Sequence, residues 1–290
     1  MPGSSGLYWT SFDGLRLFAR DYPSLGGQQR LPVVCLHGLT RNSRDFEELG
    51  PILAAEGRRI IAPDVRGRGL SDRSANPTRY QPAVYARDIA ALLDHERIDR
   101  AIFIGTSMGG LITMALAARR LRSIAGAILN EAGPEIDPRG IARILSYAGR
   151  AGPFANWNDA ADYVRDTNAV AFPKFGAQDW RTLASRLFHE GSNGQVVAYC
   201  DPAIADVLSK PPPRLAKPLA HWLFRRLARK RPTMLIRGEI SDVITAPIAE
   251  RMKKAAPQLH EAIVPGVGHA PMLTEPAALD AIRAFLARLA

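Results

Sequence analysis

Cysteine is nearly missing from this chain: Cys35 and Cys200 stand alone and far apart among 290 residues. Two isolated thiols build neither a disulfide framework nor a metal-ligand spacing, and their scarcity suits a reducing, cytoplasmic setting. A run of about eighteen apolar residues is also missing, so no membrane-spanning helix and no stable membrane insertion is expected. The first six residues, MPGSSG, lack both a basic stretch and an apolar one, and do not read as a secretory signal. No cluster of His, Cys, Asp or Glu has metal spacing. No stretch fits the dinucleotide fingerprint or the phosphate-binding P-loop, so no cofactor is implied.

Acidic residues are the minority among charges, 28 against 38 basic ones, for a formal net charge of +10. The excess is mostly dispersed arginine, with one dense patch over residues 214–231. There Leu219, Trp222, Leu223 and Leu227 recur at roughly helical spacing among Arg225, Arg226, Arg229 and Lys230. A helix with a solvated basic face accounts for the pattern; contact with a membrane surface or an anionic partner is the alternative. No nucleic-acid-binding motif accompanies the charge, and no nucleic-acid partner is expected. Apolar residues at 47% and charged ones at 23% are ordinary for a globular protein, long enough for one large domain or a domain with an insertion. A monomer and a homodimer are both compatible with this.

What is abundant is alternation. Asp13-Gly14 between residues 7–10 and 15–19 reads as a hairpin, because Asp-Gly is a strong turn signal. Short apolar runs at 32–36, 59–62, 101–104, 125–129, 233–236 and 262–264 read as buried strands. Helix candidates at 45–56, 82–96, 108–120, 246–255 and 276–289 lie between or after them. Strands and helices in turn imply an α/β fold with a mainly parallel sheet covered on both faces. The pattern breaks over 134–231, where helix candidates at 138–149, 158–171, 178–189, 202–209 and 218–230 leave one strand signal, 195–199. Such an insertion is best placed as a lid over the strand ends, where α/β sheets bind ligands. The expected division is a core of 1–133 and 232–290 and a helical cap of 134–231.

Between the 101–104 strand and the following helix stands Gly105-Thr106-Ser107-Met108-Gly109, a G-x-S-x-G pentapeptide. It sets a serine on a tight strand-to-helix turn whose neighbours have no room for side chains. A serine hydroxyl is a weak nucleophile until a base takes its proton, and that base needs an acid to orient it. Of six histidines, His269 lies in a loop after a strand candidate, flanked by Gly266 and Gly268, and is the expected base. Asp242 lies in the loop after 233–236 and is the expected acid, with Glu131, after 125–129, and Glu239 as competitors. The order Ser107, Asp242, His269 is the one expected for this architecture. His37 reads as a scaffold group beneath the site, and His95, His189, His221 and His260 as surface groups.

With these residues the chain resembles α/β-hydrolase-fold proteins that carry a helical cap. The resemblance covers about 7–133 and 232–290. Besides the triad it includes His37-Gly38-Leu39-Thr40 and Asp64-Val65-Arg66-Gly67-Arg68-Gly69-Leu70-Ser71-Asp72. It implies an eight-stranded sheet, an oxyanion hole made by the backbone N–H groups of Leu39 and Met108, and a second segment that buttresses the first. Family members that open epoxides or displace halide carry an aspartate where this chain has Ser107, which argues for acyl transfer instead. The implied activity is carboxylic-ester hydrolysis through an acyl-enzyme, on a small-molecule ester or lactone. A lactonase or enol-lactonase does the same chemistry. A carbon–carbon bond hydrolase usually has a Gly- and Ser-rich loop where this chain has Leu39-Thr40-Arg41-Asn42, and cofactor-free peroxidases often have an aromatic residue in place of Leu39. A ligand receptor with a retained triad is the non-enzymatic alternative. Val243 and Met272 are expected to wall the substrate pocket, with Trp157 and Trp180 in its roof unless such cap aromatics form the cap's own core. Arg41 and Arg44 are candidates for holding a substrate carboxylate.

Overall fold

A computed structural model describes residues 3–25, 30–208 and 215–289. The proline run 211–213, Arg214 at the head of the basic stretch and the end of the helix expected at 202–209 lie outside the described residues.

The chain opens with the hairpin that Asp13-Gly14 predicts: β1 (Ser5–Thr10) and β2 (Arg16–Tyr22) run antiparallel. Then follow β3 (Val33–Leu36), α1 (Leu49–Ala55), β4 (Ile60–Pro63), α2 (Pro82–His95), β5 (Ala101–Thr106), α3 (Met108–Arg120) and β6 (Ile124–Asn130). The inserted stretch carries α4 (Pro138–Tyr147), α5 (Trp157–Asn168), α6 (Ala177–Leu187), β7 (Phe188–Glu190), β8 (Val196–Ala198), α7 (Ile204–Leu208) and α8 (Ala216–Ala228). The chain returns to the sheet with β9 (Thr233–Gly238), α9 (Ala246–Ala255), β10 (His260–Val264) and α10 (Pro276–Ala287). The eight-stranded sheet has the order β1-β2-β4-β3-β5-β6-β9-β10, and β3, β4, β5, β6, β9 and β10 pair in parallel.

The central strands are continuous apolar runs because both sheet faces are covered. One face packs under α2, α3, α8 and α9, through residues such as Phe103, Ile112, Phe224 and Met252. The other packs under α1 and α10, through Phe46, Leu53, Ile282 and Phe285. A separate apolar cluster belongs to the insertion and includes Val164, Phe172, Trp180 and Phe188.

Two features of the insertion differ from the sequence pattern. Residues 188 and 189, expected to end a helix, instead start β7, which pairs antiparallel with β8; the buried Phe188 side chain is more useful against the cluster than on a helix end. Helix α8, with its basic face, is a core helix. Phe224, Leu227 and Ala228 bury against α3, Arg226 Nε donates to Ala117 O at 2.8 Å, and α8 gives no residue to the cavity described below. Among the described residues no helix is long and apolar enough to cross a membrane.

Candidate active site

Ser107 sits between β5 and α3 with φ 50° and ψ −111°, in a backbone region that side-chain-bearing residues rarely adopt. The turn survives because its surroundings leave no alternative. A Cβ on Gly105 would stand 2.5 Å from Gly109 C, and one on Gly109 would stand 2.1 Å from Leu36 O. Ser107 N donates to Asn130 O at 2.8 Å, which clamps the turn to the end of β6. Strain of this kind, of order 1–3 kcal/mol, persists where packing over-determines it, and it pushes the hydroxyl away from the sheet.

The loop after β3 lies against this turn: a Cβ on Gly38 would be 4.0 Å from Ser107 Cβ. Leu39 follows in that loop, and Met108 is the first residue of α3, where N–H groups have no partner within the helix. The loop is braced from below by His37, which is fully buried. Its Nε2 accepts from Val65 N at 3.0 Å, so its Nδ1 carries the hydrogen and donates to Gly38 O at 2.7 Å. Burial pushes the His37 imidazole down to about 4, with the Arg68 charge adding to the effect and the Gly38 hydrogen bond opposing it. His37 is therefore a neutral scaffold group.

Arg68, also fully buried, joins the parts the resemblance assigns to the oxyanion hole. It donates to Leu39 O at 3.0 Å, to Arg66 O at 2.9 Å and to the Tyr85 hydroxyl at 2.8 Å, and its Nη2 lies 3.6 Å from Met108 Sδ. Asp64 in the same segment accepts from Ser43 N at 2.6 Å and Leu70 N at 2.8 Å. The 64–72 segment buttresses the loop after β3, as the resemblance implied.

His269 lies in the loop after β10, and its side chain is 8% exposed. The loop is fixed on two sides: Asn130 Nδ2 donates to Pro271 O at 2.9 Å, and Gly268 N donates to Ala171 O of the insertion at 2.7 Å. The carboxylate beside the imidazole is that of Glu131, with Oε2 3.4 Å from Nδ1. Glu131 follows β6 with φ 53°, and its side chain is fully buried. It accepts from Gly238 N at 2.7 Å, Ser241 Oγ at 2.5 Å and Ile244 N at 3.3 Å. These donors let an ionised carboxylate sit inside the fold.

Asp242, the expected acid, is engaged elsewhere. Arg143 of α4 grips it bidentately, Nε and Nη2 each at 2.6 Å. Burial works to raise the Asp242 carboxyl, but the Arg143 guanidinium outweighs it and holds the group below the usual carboxylate range. The physical reason for the difference is a one-residue offset: in the loop after β9 it is Ser241, not Asp242, whose side chain turns inward to Glu131. Glu239 is also occupied, accepting from Gly266 N at 2.8 Å.

Ser107 and His269 open onto one cavity of about 440 Å³. The core supplies Gly38 to Arg41 and Ala270 to Leu273 to its walls; the insertion supplies Ile144, Tyr147, Tyr163, Phe172 and Phe188, among others. Of the residues expected to wall the pocket, Met272 lines this cavity, as does Leu39, whereas Val243, Trp157 and Trp180 do not. Val243 is buried in the core beneath α4, where its Cγ2 would be 2.7 Å from a Cβ on Gly140. Trp180 packs inside the insertion against Phe172 and Phe175, with ring centroids 6.5 and 5.0 Å away. Trp157 starts α5 and stays 39% exposed. Of the two candidate arginines, Arg41 lines the cavity and Arg44 does not; Arg44 donates to Ser185 O and to Glu47. No sequence motif marks Tyr147 or Tyr163 as cavity residues, although Ile144 and Tyr147 share one face of α4 by their spacing of three. Among the described residues no group of His, Cys, Asp and Glu could hold a metal ion.

The model of the alpha/beta hydrolase family matches residues 33–282. A 3-hydroxybutyrate-oligomer hydrolase of Cupriavidus necator is 30% identical over 249 residues, 84% of each chain. A 2-(acetamidomethylene)succinate hydrolase of Mesorhizobium japonicum is 26% identical over 246 residues, 82% of this chain and 81% of that one. The crystal structure of an alpha/beta hydrolase from Novosphingobium aromaticivorans superposes with a TM-score of 0.90 at 40% identity, each chain covered in full.

Proposed function

The chain belongs to the alpha/beta hydrolase family, and within it we propose a serine hydrolase that cleaves carboxylic esters through an acyl-enzyme. The observation that carries the proposal is the meeting of Ser107, on its strained turn, and His269, backed by a buried carboxylate, at one cavity. A relative named for hydrolysing 3-hydroxybutyrate oligomers supports an ester as substrate.

In this reading His269 Nε2 takes the Ser107 proton as Oγ attacks the ester carbonyl. The carbonyl oxygen becomes an oxyanion, which accepts from the N–H groups of Leu39 and Met108; such donors contribute about 2.7–4 kcal/mol each to the transition state. His269 then returns the proton to the departing alcohol. Water, deprotonated by the same imidazole, attacks the acyl-enzyme and releases the acid. The acid of the triad is Glu131 in place of Asp242, because Glu131 faces Nδ1 and Asp242 is neutralised by Arg143. It stabilises the imidazolium and fixes the tautomer. The described residues 134–208 act as a cap that keeps bulk water from the cavity.

Sustained release from a short-chain p-nitrophenyl ester tests this. The protein should turn over many equivalents and Ser107→Ala none. A single equivalent from the wild-type protein would favour a receptor, and a variant retaining a tenth of the activity would remove Ser107 from the nucleophile's role.

A further inference from the structure

The cavity has more positive charge than its own carboxylate can balance. Arg41, Arg73 and Arg150 line it against Asp45 alone. That carboxylate is committed: Arg41 Nε donates to both of its oxygens at 2.9 Å, and Arg41 Nη2 lies 2.7 Å from Oδ1. Arg73 and Arg150 have no carboxylate partner among the described residues. Asp72, beside Arg73 in sequence, instead accepts from Arg16 N at 2.7 Å.

The two guanidinium groups come from different layers. Arg73 follows the buttressing segment of the core, and Arg150 follows α4 of the insertion. Both residues are exposed, which places them on the solvent side of the cavity. The remaining walls mix apolar side chains, among them Leu39, Phe172, Leu187 and Met272, with uncharged polar ones such as Thr40, Thr167, Asn168 and Gln195. A neutral ester end can take only single, weaker hydrogen bonds from guanidinium groups at that rim. A carboxylate would take charge-assisted, paired hydrogen bonds from them, which planar guanidinium is built to give. The volume, about 440 Å³, suits a small molecule and not a long polymer threaded through.

We infer that this site selects esters whose far end carries a carboxylate, held at the rim by Arg73 and Arg150 while the ester carbonyl lies at Ser107. The inference rests on the ester-hydrolase reading and adds the charge of its substrate.

A matched pair of substrates tests it: mono-p-nitrophenyl adipate, which ends in a carboxylate, and its methyl ester, which does not. Charge-assisted hydrogen bonds from two solvent-exposed arginines predict a severalfold, up to about tenfold, higher kcat/KM for the acid, carried by KM and shrinking as salt is added. Replacing both arginines by glutamine should erase the preference, and replacing both by lysine should keep part of it. Equal turnover of the two esters, or an undiminished preference in the glutamine pair, would overturn the inference and leave the hydrolase reading standing. No turnover of either ester would remove both.

Discussion

Ser107 and Glu131 share an unusual trait: each follows a neighbouring central strand, and each adopts a positive φ, 50° and 53°. At Ser107 the strain presents the proposed nucleophile, and at Glu131 it turns a carboxylate back to Gly238 N at the end of β9 and to His269. Glu131→Gln should therefore keep the fold but mis-set the imidazole, lowering kcat on a p-nitrophenyl ester on the order of ten-thousandfold. Asp242→Asn should cost far less, since it removes only the charge that Arg143 grips. If the ranking of the two variants is reversed, Asp242 is the acid. The proposed nucleophile and base are legible in sequence because G-x-S-x-G and a His-bearing loop after a strand are local patterns. The proposed acid, Glu131, is not, because the choice among Glu131, Glu239 and Asp242 depends on which side chain turns inward, and a one-residue offset decides that.

Elements meet at this site through close backbone approaches. Gly109 lets α3 cross β3 at the Leu36 carbonyl, and Gly140 lets α4 rest on the loop after β9, where a Cβ would stand 2.3 Å from Asp242 O. Neither neighbour is a flexible side chain that can move aside. Gly109→Ala should lower stability by about 1–3 kcal/mol or more, read from a denaturant melt. Gly140→Ala should leave global stability less affected but shift α4, raising KM more than it lowers kcat. An unchanged melt for the first, or a pure kcat defect for the second, would contradict these packing roles. Strands and helices were legible because the sheet is buried on both faces and its strands are apolar runs. The tertiary role of α8 was not: its apolar stripe is the same whether it faces a lid or α3, and only the burial of Phe224 and Leu227 on α3 separates the two.

For the whole molecule, His37 links folding to pH. Its folded value, about 4, lies below the ordinary 6.5, so between these values the unfolded chain binds the extra proton. The stability it supports is complete above about 6.5 and drains away as pH falls toward about 4. His37→Gln should flatten this part of the Tm-against-pH curve; an equally steep curve would assign the dependence to other groups. The same scaffold holds the loop that carries Leu39, the proposed oxyanion donor, and the proposal for the whole molecule is one activated serine coupled to His269 and to Glu131. Labelling with a fluorophosphonate followed by intact mass and peptide mapping tests that claim most directly. One adduct is expected, on Ser107, absent in Ser107→Ala and forming much more slowly in His269→Ala and Glu131→Gln. An adduct on another residue, or labelling of Ser107 at the same rate in all but the serine variant, would contradict it.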